Sequence, residues 1–162
     1  MRAQWPQLTA VLLGLGLMGC GPSGLRPERG ISSALQRSSD SRRWPSMGNR
    51  WLASIASRNG RERVELVDLR NGQPVPLPGI NQADAQPINV SVSADGNRIA
   101  MIRSRNGRTE LMLYRRGVGI LQRLPVEPAG VPREVSLDGS GRLLAVQVSR
   151  QGRWDVDLIR LP

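Results

Sequence analysis

One polar motif recurs three times at near-constant spacing, and this repeat constrains the fold more than any other feature of the chain. Ser57-Arg58-Asn59-Gly60-Arg61 returns as Ser104-Arg105-Asn106-Gly107-Arg108, 47 residues on, and as Ser149-Arg150-Gln151-Gly152-Arg153 after another 45. Apolar residues alternate on both sides of each copy. Trp51-Leu52-Ala53, Ile99-Ala100 and Leu143-Leu144-Ala145 precede it; Val64 and Leu66, Leu111 and Leu113, and Val156 and Leu158 follow it at matching offsets. Alternation about a polar, glycine-containing turn predicts a β-hairpin with one buried face. A second turn stands before the hairpin, Ser93-Ala94-Asp95-Gly96-Asn97 in the middle copy and Ser136-Leu137-Asp138-Gly139-Ser140 in the last. Each copy therefore reads as four short strands, the fourth closing on Leu-Pro at Leu77-Pro78 and Leu124-Pro125.

A four-stranded unit of this period is a propeller blade. The fold class expected is all-β: three blades over 43–162, a partial propeller of about eleven strands. The first blade is degenerate, with Arg43-Trp44-Pro45-Ser46 as its first strand and Met47-Gly48-Asn49-Arg50 in place of Asp-Gly; the third is one strand short.

The first 19 residues read as a targeting segment. Arg2 is followed by an apolar run from Leu8 to Met18 and by Leu17-Met18-Gly19-Cys20. The run is too short for a spanning helix. This stretch resembles a bacterial lipoprotein signal peptide with its lipobox, and the resemblance implies cleavage before Cys20 and acylation of that cysteine. The competing reading is an ordinary secretory signal. Acyl chains on Cys20 would hold the protein to a membrane. Gly21 follows the cysteine where an aspartate favours inner-membrane retention in that family, which points to the outer membrane. Residues 20–42, with six serines and two prolines in 21–42 and no apolar period, read as a flexible tether.

Composition narrows the function. The single cysteine allows no internal disulfide, and the chain has no histidine, the commonest general base and metal ligand. All 23 basic residues are arginine and the net charge is +10, or +9 once Arg2 leaves with the signal. A basic protein in the cell envelope is drawn to anionic headgroups or polysaccharide; nucleic acid is not an expected partner there.

Residues 93–100 and 104–114 (Ser-x-Asp-Gly-Asn-Arg-Ile-Ala and Ser-Arg-Asn-Gly-Arg-Thr-Glu-Leu-Met-Leu-Tyr) resemble the blade repeat of TolB-type, WD-repeat-like propellers. Residues 136–145 with 149–159 are similar to a second copy, and 44–69 to an eroded one. The resemblance implies a periplasm-facing protein that works through protein–protein contacts. Family members have six blades and an N-terminal α/β domain, for which this chain leaves no room. Three blades expose two flanks. Two copies meeting as a homodimeric six-bladed ring, an open wedge, and completion by another protein are the alternatives.

The arginine turns emerge on one propeller face and are the candidate binding surface: Arg58, Arg61, Arg105, Arg108, Arg150 and Arg153, with Arg63 and Arg103 nearby and Trp154 as an aromatic anchor. The functional reading is an electropositive rim gripping carboxylates or phosphates. The structural reading is that these arginines pair with acids such as Glu62 or Glu110 or with backbone carbonyls. Asp95 and Asp138 are read as turn aspartates, not catalytic or metal-binding groups, and Trp51 as core. No catalytic residue, metal site or cofactor is expected. The function expected is scaffolding of an envelope protein, or binding of anionic polysaccharide or lipid through the same rim.

Overall fold

The computed structural model describes residue 26 and residues 28–162. The signal-peptide and Cys20 readings lie outside these residues. Helix α1 (Arg29–Arg37) precedes eleven strands: β1 (Ser41–Met47), β2 (Trp51–Arg58), β3 (Arg61–Asp68), β4 (Gln73–Val75), β5 (Ala85–Val92), β6 (Arg98–Arg105), β7 (Arg108–Arg115), β8 (Ile120–Leu124), β9 (Val131–Leu137), β10 (Leu143–Arg150) and β11 (Arg153–Arg160). They form three antiparallel meanders. Blade I is β1-β2-β3-β4, blade II is β5-β6-β7-β8, and blade III is β9-β10-β11. No helix among the described residues is long and apolar enough to cross a membrane.

Two expectations change at the N-terminal side. Residues 29–37, read as part of the flexible tether, are helical, and the first strand begins at Ser41 instead of 43. Ile31, Ala34 and Leu35 share one face of the helix and are half-buried against blade I. That stripe spans barely more than one turn, which is why the segment shows no period in sequence.

The blades stack because side chains alternate across each strand. Ala53, Ile55, Val64 and Leu66 leave blade I toward blade II and meet Val90, Val92, Ile99, Met101, Met112 and Tyr114. From the opposite face of blade II, Ala100, Ile102, Leu111 and Leu113 meet Val135, Leu137, Leu144, Val146 and Val148 of blade III. Blade II is thus apolar on both faces, and its β6 reads as an almost continuous hydrophobic run. Between blades I and II the link from Pro76 to Asp84 inserts Ile80 into the first seam. Asn81 there accepts from the Val64 N–H at 2.8 Å and donates to the Val64 carbonyl at 2.9 Å. Short β4 leaves those two groups without a ladder partner, and the asparagine amide completes them.

Trp51, expected as core, is buried with its ring between Arg50 and Arg116, whose guanidinium carbons lie 4.4 and 4.5 Å from its centroid. Gly96, at φ +70°, lies directly against this indole, where a Cβ would stand 2.5 Å from ring atoms. Glycine is required there twice over, by backbone and by space.

Candidate binding face at the arginine turns

The three motif copies form two-residue hairpin loops. Asn59-Gly60, Asn106-Gly107 and Gln151-Gly152 all have positive φ at both positions, with values of 51 and 77, 50 and 71, and 48 and 79°. That is the geometry whose twist matches the flanking strands. In every case the two arginines of the motif are the last paired residues of the hairpin: Arg58 with Arg61, Arg105 with Arg108, Arg150 with Arg153. The turns lie at the same end of successive blades, and residues 58–63, 81–86 and 104–106 enclose a polar trough between the first two, with a volume of about 910 Å³.

Within each turn the two arginines do different work. The first is tied to a carboxylate. Arg58 Nε donates to Asp40 at 2.5 Å, Arg105 Nε donates to Asp84 at 2.7 Å, and Arg150 binds Asp157 through its two terminal nitrogens. Arg150 also reaches the Pro128 carbonyl at 2.9 and 3.0 Å. The second arginine points away. Arg61 and Arg108 are exposed and make no ion pair among the described residues, and Arg153, with its side chain 84% exposed, comes no nearer than 4.0 Å to Asp155. Strand alternation puts the two arginines side by side; which one finds an acid depends on links entering from other blades.

Of the partners expected, Glu110 does pair with Arg103, at 2.8 Å, and a backbone carbonyl, that of Pro128, takes Arg150, whereas Glu62 is taken by Arg43 at 2.7 Å. Arg103 is 4% exposed and also donates to Gln82, so it belongs to the β6–β7 seam and not to the rim. Arg63 is likewise engaged, with Asp40 at 2.6 Å and Glu65 at 3.3 Å. Trp154 is exposed, but on the outward face of β11 opposite Ser149, not at the turn.

The carboxylates are held as anions by these partners. Asp40 is lowered to about 2, chiefly by hydrogen bonds from Arg58 and then Arg63, against the opposing effect of burial. Arg150 lowers Asp157, and Arg43 lowers Glu62. Asp95 and Asp138 occupy their turns as expected. Asp95 accepts from the Ser93 hydroxyl and the Asn97 amide, while Asp138 accepts from Ser140, Arg142 and Leu143 and is lowered to about 2, the Ser140 hydroxyl first. Among the described residues no group of three acidic or sulfur ligands is placed to hold a metal.

These three stacked antiparallel sheets define the class: a partial β-propeller. Solved structures with the same fold include a protein assigned as TolB from Agrobacterium tumefaciens, at a TM-score of 0.59 and 15% identity, covering 75% of this chain and 46% of that one. A chain of a nidogen/laminin complex gives 0.55 and 14%, covering 75% and 45%. The propeller domain of the trilobed protease of Pyrococcus furiosus gives 0.51 and 12%, covering 76% and 43%. The chain spans less than half the length of each, and at these identities the likeness is one of fold. No family model and no curated protein matches the sequence.

Proposed function

We propose that this chain is a non-catalytic, lipid-anchored binding protein of the bacterial cell envelope, and that it holds a partner protein at the rim formed by Arg61, Arg108 and Arg153. One observation carries the reading: in all three turns the first arginine is neutralised within the fold while the second is left exposed at the same register. Three such guanidinium groups on a rigid edge suit an acidic protein surface, since arginine forms bidentate contacts with carboxylates. The carboxylates that a hydrolytic reading would need, Asp95 and Asp138, are committed to their own turns.

Anchoring through Cys20 would keep this rim on the periplasmic side, with the outer membrane favoured by Gly21. A second reading, anionic polysaccharide or lipid headgroups bound at the same rim, is favoured by the lack of counter-carboxylates beside Arg61 and Arg108. Crosslinking in intact cells followed by mass spectrometry of the purified protein tests the first. One dominant envelope protein crosslinked near residues 61, 108 and 153 supports it. Retention on a polyanion that falls steeply with salt, without a protein crosslink, favours the second.

A further inference from the structure

The first strands of the three blades lie side by side, and a pocket runs across all of them. β1 contributes residues 44–46, β5 residues 89–91 and β9 residues 134–136, around a volume of about 220 Å³. Side chains of each blade accept there from the backbone of the next: Ser46 from the Val92 N–H at 3.1 Å, Asn89 from the Val135 N–H at 2.9 Å and Ser91 from the Leu137 N–H at 2.8 Å. These bonds use acceptor oxygens and leave donors over. Asn89, 4% exposed, donates its amide hydrogens to no described residue. The Ser46 and Ser91 hydroxyls, 3.4 Å apart, keep one hydrogen to spare whichever of them donates. Donors on buried groups call for an acceptor.

Trp44 holds in blade I the place that Asn89 holds in blade II, 45 residues on. Indole has no acceptor to offer, so the Val90 N–H gains no counterpart of the bond that Asn89 makes to Val135. Trp44 is also the one described non-glycine residue with positive φ outside the arginine turns, at 54°. A bulky side chain rarely takes that conformation. It stands in a bulge, where Trp44 and Pro45 together lie opposite Ser54, between the Arg43–Ile55 and Ser46–Ala53 pairs. Bulges re-aim side chains, and this one leaves the indole 45% exposed at the pocket.

Strand β9 supplies acceptors. Glu134 and Ser136 are exposed at the pocket, and neither side chain makes an ion pair or hydrogen bond among the described residues. The pocket thus joins an indole and a proline ring to spare amide and hydroxyl donors and an unneutralised carboxylate. A sugar ring matches that set, with apolar C–H faces and hydroxyls that both donate and accept. A hydrocarbon would leave the donors unmet. An anion would meet Glu134 with no basic residue lining the pocket. The volume is below the roughly 300 Å³ of the smallest drug-sized sites, so it suits a single ring.

We infer that this pocket is a saccharide site, taking one neutral sugar ring of a glycan on Trp44, with hydrogen bonds from Asn89 and Ser91 and to Glu134 and Ser136. This goes beyond the rim reading and stands independently of it, because the pocket shares no residue with the arginine turns.

The test is saturation-transfer NMR on the full-length chain in a polyoxyethylene detergent, which carries neither sugar nor ammonium. The ligands are glucose, N-acetylglucosamine, glucuronate and choline, and signals are expected from the two neutral sugars alone. Trp44→Gly is the deciding variant. Glycine accepts the positive φ, so the thermal midpoint should stay level or rise, while the sugar Kd weakens by about tenfold, as on loss of an aromatic anchor. Glu134→Gln with Ser136→Ala, both at exposed positions, should weaken it by a smaller factor. Arg61→Ser, Arg108→Ser and Arg153→Ser together should leave it unchanged. No sugar signal from the parent chain would overturn the proposal in favour of a pocket filled by water, and sugar binding that survives Trp44→Gly would move the site elsewhere. Binding of glucuronate alone, lost with the three rim changes, would refute the pocket and support the rim. Binding of choline alone, lost with Glu134→Gln, would refute a sugar in favour of an ammonium ligand.

Discussion

Asp40 and Arg58 meet at 2.5 Å, and through this pair the first arginine turn clamps the segment that follows α1 onto blade I. The Asp40 side chain is 2% exposed and takes Arg63 as well, while Arg42 of β1 reaches back to the Leu35 carbonyl at 3.1 Å. Asp40→Ala would leave two guanidinium groups beside an empty site. Since Arg58 and Arg63 retain solvent access, the expected loss is about 1–2 kcal/mol, below that of a fully buried pair. Urea unfolding checks it, and Arg58→Ala should cost less than Asp40→Ala because Arg63 remains.

Acid should act on this protein within a narrow window. Asp40, Glu62, Asp95 and Asp157 all have folded pKa values below their ordinary ones, so each contributes stability that is fully present above the unfolded value near 3.8 to 4.5. That contribution disappears as pH falls through the folded values, about 2 for Asp40. With no histidine in the chain, stability is expected to be flat from about pH 5 to 8 and to fall below about pH 4. Thermal midpoints across that range check both parts; a transition near pH 6 would contradict them.

The two arginines of each turn should separate cleanly on substitution. Arg61→Ser, Arg108→Ser and Arg153→Ser together are expected to leave stability within about 0.5 kcal/mol, as for exposed groups. The same triple change should weaken retention on an anionic column and lessen its salt dependence. Arg105→Ser or Arg150→Ser should instead lower stability, since each strips a carboxylate of its guanidinium partner.

Gly96→Ala should be among the most damaging single-methyl changes in the chain. The added Cβ meets the buried Trp51 indole at 2.5 Å with backbone at φ +70°, and Arg50 and Arg116 already pack over that ring. Overpacking and backbone strain together predict a loss of about 2–4 kcal/mol. Tryptophan fluorescence during denaturant titration would report it.

Leu113 and Leu158 hold the same repeat position in different surroundings, 2 and 69% exposed. Leu113→Ala is expected to cost about 2–4 kcal/mol at any protein concentration. Leu158→Ala should be near neutral, as for an exposed side chain. Urea denaturation of the two variants separates them.

How much of this was legible beforehand follows from the range over which each feature is determined. The blades are a local matter: Asn59-Gly60, Asn106-Gly107 and Gln151-Gly152 fix their hairpins through backbone conformation, and alternation such as Val64-x-Leu66 fixes which residues share a face. These are effects of neighbours in sequence, so eleven strands in three units could be read directly. The α1 helix was hidden because its apolar stripe is too short to register as a period. The Ser46 and Ser91 hydroxyls gave no sign of linking blades, because the Val92 and Leu137 N–H groups they accept from lie 46 residues away.

Which arginines are free depends on contacts between elements far apart in the chain. Asp40 and Asp84 reach Arg58 and Arg105 from 18 and 21 residues away, along segments that leave one element and cross to another. Glu62 and Glu110, nearer in sequence, are taken by Arg43 and Arg103 through strand pairing and burial. The same holds for the blade faces. Val156 and Leu158 carry the pattern of buried residues and are exposed, because burial depends on what is stacked against a sheet and not on the sheet's own sequence.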